Sequence, residues 1–97
     1  MYFILSDSLS KAYLRVGSAV SGDKVYFSCY SPSESNLEII NLNTLEKNVI
    51  KIPNQEAFKA ITINANKVFL AGGLYVDIYD IELNKWTEYE LPEERYA

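Results

Sequence analysis

The side chains that most often carry enzymatic chemistry are scarce in this chain. It contains no His, the usual general base and the commonest metal ligand near neutral pH. Nucleophilic catalysis by a Ser–His or Cys–His arrangement is therefore excluded within the chain. The single cysteine, Cys29, is flanked by Phe27 and Tyr30 without a nearby Lys or Arg to stabilise a thiolate, so we expect a small core residue. We predict no catalytic residue, no cofactor and no metal site.

Paired carboxylates are the remaining candidates for acid–base chemistry. Glu88 and Glu90 are two residues apart on a predicted strand, so they share one face, as an acid–base pair would. We favour a charged rim that discourages edge-to-edge aggregation. Asp77 and Asp80 are three residues apart and lie on opposite faces, so they do not form a dyad. The acidity of residues 76–94 indicates a solvated rim more than a surface for a basic partner.

Composition limits the class of partner. The 97 residues carry 9 Lys and Arg against 13 Asp and Glu, a net charge of -4, which repels a nucleic-acid backbone. The apolar run at residues 2–5 is too short for a signal peptide core or a membrane span, so no membrane association is predicted. The lone Cys29 and the absence of an Asn-X-Ser/Thr sequence favour a reducing setting, and we expect the protein in the cytoplasm.

The elements that position these residues are predicted to be β-strands. Aromatic residues make up 13% of the chain, and its short apolar runs are β-branched or aromatic and end at Gly, Pro, Asn, Asp or Ser. Pro32 and three serines predict a turn at residues 31–36. Strands are predicted at residues 24–30, 37–42, 48–52, 60–64, 67–71, 75–81 and 86–91.

The strand pattern occurs twice. The segment Val25-Tyr26-Phe27 aligns with Val68-Phe69-Leu70, and residues 42–53 align with residues 81–92. The alignment needs one gap, because the middle loop is four residues shorter in the second copy. The period of roughly 40 residues lies in the range of solenoids and propellers, so the chain is predicted to contain two copies of one sheet-forming unit.

The second copy resembles a kelch repeat, the unit of one family of β-propellers. The kelch pattern is an apolar strand, a Gly-Gly pair, a Tyr followed by Asp, a Trp, and then a Pro and an Arg before the next blade. Paired glycines permit a sharp turn, and large aromatics fill the wedge between neighbouring blades. The chain carries the pattern in order across residues 60–95, as residues 68–71, Gly72, Gly73, Tyr79, Asp80, Trp86, Pro92 and Arg95.

The resemblance implies an all-β fold of kelch-like propeller blades, each a four-stranded antiparallel sheet. Residues 15–53 would be a degenerate blade, with Cys29 and Tyr30 in the Gly-Gly place, and residues 54–97 a kelch-like blade. Residues 1–14 would be a remnant of a partial preceding blade. Arg15 and Arg95, at the blade entrances, are expected to bind the backbone of the neighbouring blade. A WD-type propeller, which expects Gly-His and Trp-Asp pairs, is the minor alternative.

The function that the resemblance implies is a non-catalytic protein–protein interaction module. In kelch proteins the loop entering each blade and the loop joining its second and third strands share one face, where rigid strands hold them for recognition. The expected contact residues on that face are Tyr30, Ser31, Ser33, Glu34, Ser35, Asn36, Asn54, Gln55, Glu56 and Tyr75.

Two alternative functions stay open. One is a fragment of a propeller enzyme acting on a sugar or small metabolite, with Glu34, Glu56 and Tyr75 as the available axial groups. The other is a structural unit that assembles with itself. A closed propeller needs at least four blades, about 160 residues. The expected partner is therefore a protein, further propeller blades, or other copies in a homo-oligomer.

Overall fold

The computed structural model describes residues 14–55 and 59–92, and within these ranges the chain is all-β. No helix in these two ranges is long and apolar enough to cross a membrane. Eight strands follow one another: β1 (Leu14–Ser21), β2 (Lys24–Tyr30), β3 (Ser35–Asn41), β4 (Lys47–Lys51), β5 (Ala60–Asn64), β6 (Lys67–Gly72), β7 (Tyr75–Asp80) and β8 (Lys85–Glu90).

The strands form two four-stranded antiparallel sheets. The first sheet has the order β1-β2-β3-β4 and the second the order β5-β6-β7-β8, so each strand pairs with its neighbour in sequence. The prediction of two four-stranded antiparallel sheets is confirmed. Strands 24–30 and 60–64 have the predicted bounds, and the other predicted strands differ by one or two residues at their ends.

The start of the first sheet differs from the sequence-based description. Leu14, which the sequence places in the preceding blade, begins β1 and pairs with Tyr30. The other residues of that predicted remnant, 1–13, lie outside the described residues. The predicted turn at residues 31–36 is also too long, because Ser35 and Asn36 already pair with β2. Their backbone groups find ladder partners there, which outweighs the turn preference of the side chains.

The turns between paired strands follow residue-specific backbone preferences. Gly22 and Gly73 have φ angles of 62° and 65° at the first position of two-residue turns, as type II′ hairpins require. Gly73 therefore accounts for one glycine of the Gly-Gly pair. Ala65 and Asn66 both have positive φ, at 52° and 63°, as a type I′ hairpin requires.

The two sheets repeat the same loop contacts. The loop after each third strand begins with a side-chain oxygen, of Asn41 or of Asp80, that accepts backbone N–H groups. Each loop contains one left-handed residue, Leu45 (φ 64°) or Asn84 (φ 55°). The alignment of the two copies is thus reproduced in backbone geometry. Backbone hydrogen bonds beside these loops also correspond in the two sheets. The N–H of Leu42 donates to the Asp23 carbonyl, as the N–H of Ile81 donates to the Asn66 carbonyl. The N–H of Ile52 donates to the Ser35 carbonyl, as the N–H of Leu91 donates to the Leu74 carbonyl.

The core lies between the sheets. Alternation along the strands gives each sheet a seam face, which meets the other sheet, and an outer face. The seam faces pack into one apolar cluster together with Ile52 and Ile81. The seam face carries Tyr26, Leu37, Ile39 and Ile50 in the first sheet, and Ile61, Ile63, Val68, Leu70, Tyr79 and Trp86 in the second.

The outer faces are also apolar but more exposed. Val20 is 65% exposed and Val49 47% exposed on the first sheet, and Tyr89 is 56% exposed on the second. The large apolar residues of the outer face of the first sheet are Val20, Val25, Phe27, Ile40 and Val49, beside the buried Cys29, Asn36 and Glu38, and those of the second sheet are Phe69, Val76, Ile78 and Tyr89.

The closest approach of the sheets is between β1 and β5, where Gly17 faces Ile61. A Cβ atom on Gly17 would lie 3.1 Å from Ile61 Cγ2, closer than ordinary van der Waals contact. The absence of a side chain at Gly17 therefore sets how near the two sheets can come. A β-bulge between Arg15 and Gly17 shifts the β1 register at this point.

We expect Gly17→Val to lower the free energy of unfolding by about 1 to 3 kcal/mol, because extra methyl groups overpack the seam. In an Ile61→Ala background the same change should cost less, since the contacting methyl group is gone. Urea unfolding of the four chains in the double-mutant cycle measures this coupling. Ser18→Val is the matched control on the outer face and should change stability by less than about 0.5 kcal/mol. Additive effects of Gly17→Val and Ile61→Ala would contradict the described seam.

Candidate functional site

The residues predicted to contact a partner cluster at one end of the sheets. This loop end comprises the β2–β3 turn (residues 31–34), the described parts of the β4–β5 connection (residues 52–55 and 59) and the β6–β7 turn (residues 73–74). Tyr30 and Tyr75 end and begin the strands beside the two turns. Antiparallel hairpins place alternate connections at the same end of the strands, which is why segments distant in the sequence meet here. Glu56 and Arg95 lie outside the described residues.

The β2–β3 turn is the exposed part of the loop end. The backbone N–H of Ser31 donates to the Glu34 carbonyl (2.9 Å), and the backbone N–H of Glu34 donates to the Ser31 carbonyl (3.3 Å). The Ser31 hydroxyl also bonds to the Glu34 carbonyl (3.2 Å) and lies 3.3 Å from the Ser33 hydroxyl. Pro32 restricts the backbone further. Ser33 and Glu34 are therefore presented to solvent on an ordered turn.

Three of the predicted contact residues instead hold the chain together. Ser35 and Asn36 are buried, at 1% and 5% exposure, and cannot meet a docking partner. The Gln55 side chain accepts a hydrogen bond from the backbone N–H of Ser35 (2.6 Å) and donates to the Ser35 carbonyl (2.8 Å). Gln55 also donates to the Ile52 carbonyl. It thereby fastens the β4–β5 connection to the first sheet.

A buried ion pair lies where this connection enters the second sheet. Lys59 Nζ is 3.8 Å from Asp77 Oδ2, and both side chains are almost fully buried. Asn54 Nδ2 donates to Asp77 Oδ1 (2.6 Å) and to Glu88 Oε1 (3.2 Å). We call Ser35, Asn54, Gln55, Lys59, Asp77 and Glu88 the polar seam. It continues the apolar seam to the loop end.

The polar seam is incompletely hydrogen-bonded. Lys59 Nζ, Asp77 Oδ2 and Ser35 Oγ are buried and make no hydrogen bond within the described part of the chain. Burial raises the pKa of Asp77 above its ordinary value, while the Asn54 hydrogen bond and the Lys59 charge oppose the rise. Because the pKa of Asp77 is raised overall, desolvation is the largest of the effects on this carboxyl group. Because Asp77 is 0% exposed, it is not placed to exchange protons with a substrate.

A second buried carboxylate occupies the equivalent place in the first sheet. Glu38 aligns with Asp77 on the third strand and is 0% exposed. Its Oε1 atom is 2.6 Å from Arg15 Nε, and its Oε2 atom is 3.6 Å from Lys47 Nζ. The Arg15 guanidinium also lies 4.7 Å from the centre of the Phe27 ring. These described contacts of Arg15 are with side chains of its own sheet. Its binding to the backbone of a neighbouring blade stays a prediction.

Sequence reasoning missed Glu38 and Lys59 and treated Asp77 only as half of a rejected dyad. The sequence did contain a signal for the two acids, because Glu38 lies within an apolar run and Asp77 within the alternating segment of β7. A charge in such a stretch calls for a buried partner. Lys59 gave no comparable signal, since it precedes its strand in a polar connection.

The remaining motif residues fill structural places. Tyr79 is 6% exposed and its ring centroid lies 5.0 Å from that of the half-buried Trp86, so both belong to the seam and not to the loop end. The Tyr79 hydroxyl donates to Asn84 Oδ1. Glu88, one of the two carboxylates considered for acid–base chemistry, is exposed and accepts a hydrogen bond from Asn54.

Comparison of the chain with protein-family models, curated proteins and solved structures gave no match. The resemblance to kelch repeats therefore rests on the residues that carry it. Among the residues that the structure describes, no group of three or more His, Cys, Asp or Glu side chains is placed to hold a metal ion. The buried charged side chains near the loop end, Lys59 and Asp77, pair with each other, whereas the exposed Glu34 lies on the β2–β3 turn and the exposed Glu88 on β8.

Cys29 is predicted to react slowly with a thiol reagent in the folded chain. It is 1% exposed, and burial, followed by the charge of Glu38, raises its pKa to about 11. A rise from 9.0 to about 11 lowers the thiolate fraction by roughly a hundredfold at any pH well below both values. Labelling with a chromogenic disulfide should therefore be at least about a hundredfold slower than in the urea-unfolded chain. A Cys at position 33 in a Cys29→Ser background is the exposed control. Equal rates for folded and unfolded chains would contradict the burial.

The polar seam gives a pH-dependent prediction for Asp77→Asn. A raised pKa in the folded state means that protonated Asp77 stabilises the fold below the unfolded-state pKa of about 3.9. This contribution is lost as the pH rises through the folded-state pKa. The stability of the original chain relative to Asp77→Asn should therefore fall as the pH rises from about 4. Urea unfolding of both chains over this range measures the difference.

Glu88→Gln is the control for Asp77→Asn, because Glu88 shares the Asn54 donor but is exposed. The Glu88 charge also raises the pKa of Asp77, but less than burial does, so Glu88→Gln should weaken this pH dependence without reversing it. A relative stability that increases with pH would show that Lys59 and Asn54 outweigh desolvation, and it would contradict a raised pKa for Asp77.

Proposed function

We propose that the chain is a non-catalytic protein-interaction module of propeller type, whose loop end recognises a protein partner in the cytoplasm. The observation that carries the proposal is the ordered, exposed turn at residues 31–34 above a rigid pair of sheets. Its backbone is fixed by the Ser31–Glu34 hydrogen bonds, so little conformational entropy would be lost on binding. Gln55 holds the adjacent connection against the first sheet.

We infer that the two sheets are consecutive propeller blades. Each is a four-stranded antiparallel meander, and the seam face of one packs on the next with the first strands nearest each other. Blades of a propeller are sheets of this kind repeated around an axis. The kelch-type residues Gly73, Tyr79 and Trp86 support the same interpretation, since one shapes a turn and two pack in the seam.

The surroundings of the described carboxylates support binding over catalysis. Within the described residues, the carboxylates with full burial are Glu38 and Asp77, and both lie against basic side chains of this chain. Glu34, which was a candidate axial acid, accepts a hydrogen bond from Asn36 at 3.3 Å and stands on the exposed turn. An exposed carboxylate of this kind suits recognition, because it can pair with a donor on a partner surface.

Site-specific photo-crosslinking tests the proposed recognition surface. A photoreactive residue at Ser33 in the full chain should capture one saturable protein partner from a lysate of the source cells. Glu34→Lys should reduce that capture at least about tenfold, the effect of reversing one charge in a polar contact. Tandem mass spectrometry of the crosslinked product identifies the partner.

The matched control places the same residue at Thr44, on an exposed turn at the opposite end of the first sheet. Thr44 should give no enrichment of that partner. Equal capture from both ends, or capture at Ser33 that is unaffected by Glu34→Lys, would overturn the proposal.

A further inference from the structure

We propose that the outer face of the second sheet binds the outer face of the first sheet of another copy of this chain, so that copies stack head to tail. The inference rests on the proposal that the two sheets are consecutive units of a stack. The partner that continues the stack is another copy of the chain. The contact lies on the sheet faces and not at the loop end.

The second sheet repeats the surface that is covered on the first. Phe69, Val76, Ile78 and Tyr89 occupy the places held by Tyr26, Leu37, Ile39 and Ile50 in the alignment of the two copies, as the shared strand register shows. In the first sheet these places form the seam face, and Tyr26 and Leu37 are 2% and 0% exposed. In the second sheet Tyr89 is 56% exposed. The other five side chains of the two sets are half-buried, so the surface is covered at Tyr26 and Leu37 in the first sheet and open at Tyr89 in the second.

The outer face of the first sheet corresponds to the surface that covers this position inside the chain. Val20, Val25, Phe27 and Ile40 align with Ile63, Val68, Leu70 and Tyr79, four residues of the second sheet's seam face. All eight side chains are apolar or aromatic. Val20 is 65% exposed, whereas its counterpart Ile63 packs against the core. The chain therefore carries both halves of the internal contact a second time, one on each outer face.

The buried carboxylates extend this correspondence. Glu38 and Asp77 occupy the same position on the third strand, and each lies against a basic residue that comes from the start of the first strand. Cys29 and Gly72 correspond in the alignment of the two copies. Arg15 lies opposite Cys29, and Lys59 comes one residue before Ala60, the partner of Ala71, so Arg15 and Lys59 occupy equivalent positions. The outer face of the first sheet is thus built with the same charge arrangement as the second sheet's seam face.

The two outer faces differ from each other, which determines the symmetry of the assembly. A contact between unlike faces is heterologous, so it produces a ring or an open stack and not a closed two-fold dimer. Four strands of five residues cover a projected area of roughly 300 Å², from a strand spacing of about 4.8 Å and a rise of about 3.3 Å per residue. Standard interfaces bury about 800 Å² of accessible surface per partner. The contact is thus at the small end of specific interfaces, where weak association is typical.

Sedimentation velocity of the full chain from about 1 to 300 μM tests the stack. The original chain should show a weight-average sedimentation coefficient that rises with concentration. Val49→Lys blocks the outer face of the first sheet, and Tyr89→Lys blocks that of the second. Both positions are exposed, so both variants should fold, which circular dichroism and urea unfolding check. Each variant alone should weaken self-association at least about tenfold, because each lacks one half of the contact.

Mixing the two blocked variants distinguishes this geometry from others. Val49→Lys retains an intact second-sheet face and Tyr89→Lys retains an intact first-sheet face, so an equimolar mixture should form a 1:1 dimer and nothing larger. Leu83→Lys is the control for added charge, because Leu83 is 65% exposed in the β7–β8 loop. It should associate like the original chain.

Three outcomes would overturn the proposal. The first is a monomeric original chain across the whole concentration range. The second is self-association of Val49→Lys alone with loss in Tyr89→Lys, which would indicate two-fold packing of second-sheet faces. The third is a mixture of the two variants that stays monomeric. None of these results changes crosslinking at Ser33, so failure of the stack and failure of the proposed recognition function are separable.

Discussion

The packing of one sheet's seam face against the other's is the interaction on which the rest of the structure depends. A single four-stranded sheet with strands of five to eight residues cannot bury its own apolar face, and it needs a second layer to become stable. Tyr26, Leu37 and Ile52 from the first half of the chain meet Val68 and Leu70 from the second in one cluster. Gly17 permits this approach because a Cβ there would crowd Ile61.

The charged residues inside the fold follow from the same stacking. Removing a carboxylate from water is unfavourable unless a base and hydrogen-bond donors replace the solvent. Asp77 obtains part of this compensation from Lys59 and Asn54, both supplied by the connection that leads from the first sheet, while its Oδ2 atom makes no hydrogen bond within the described residues. Asp77 therefore has its basic and hydrogen-bonding partners only when the β4–β5 connection follows its observed course. We interpret the polar seam as an element that specifies how the second sheet is oriented, in addition to the apolar contacts.

The proposed recognition and the proposed assembly involve different parts of the molecule. The loop end presents an ordered turn with exposed serine hydroxyls and a carboxylate, which suits a polar partner surface. The outer faces present pleated apolar surfaces, which suit another sheet. Because a stacked sheet leaves its connecting loops exposed at the ends of its strands, one contact does not block the other. A stack of copies would repeat the loop end along its length, and repeated sites raise the effective concentration for a multivalent partner.

Sequence patterns predicted seven of the eight strands, their arrangement in two similar sheets and the absence of His-based chemistry, whereas β1 was not among the predicted strands. These features are local or periodic: alternating apolar residues define strands, and turn residues such as Gly22 and Gly73 define hairpins between neighbours. The β-bulge at the start of β1 and the early start of β3 at Ser35 were not predicted, because they depend on ladder partners in another strand.

The contacts between the sheets depend on the folded arrangement and could not be predicted from the sequence. Asn54 and Asp77 are separated by 23 residues in the chain, and Gly17 in the first sheet lies against Ile61 in the second. No periodicity in the sequence encodes such contacts. The structure also separated the predicted loop residues into those that face solvent, such as Ser33, and those that are buried, such as Asn36. Burial depends on what packs on top of a strand, and that is settled only when the two sheets come together.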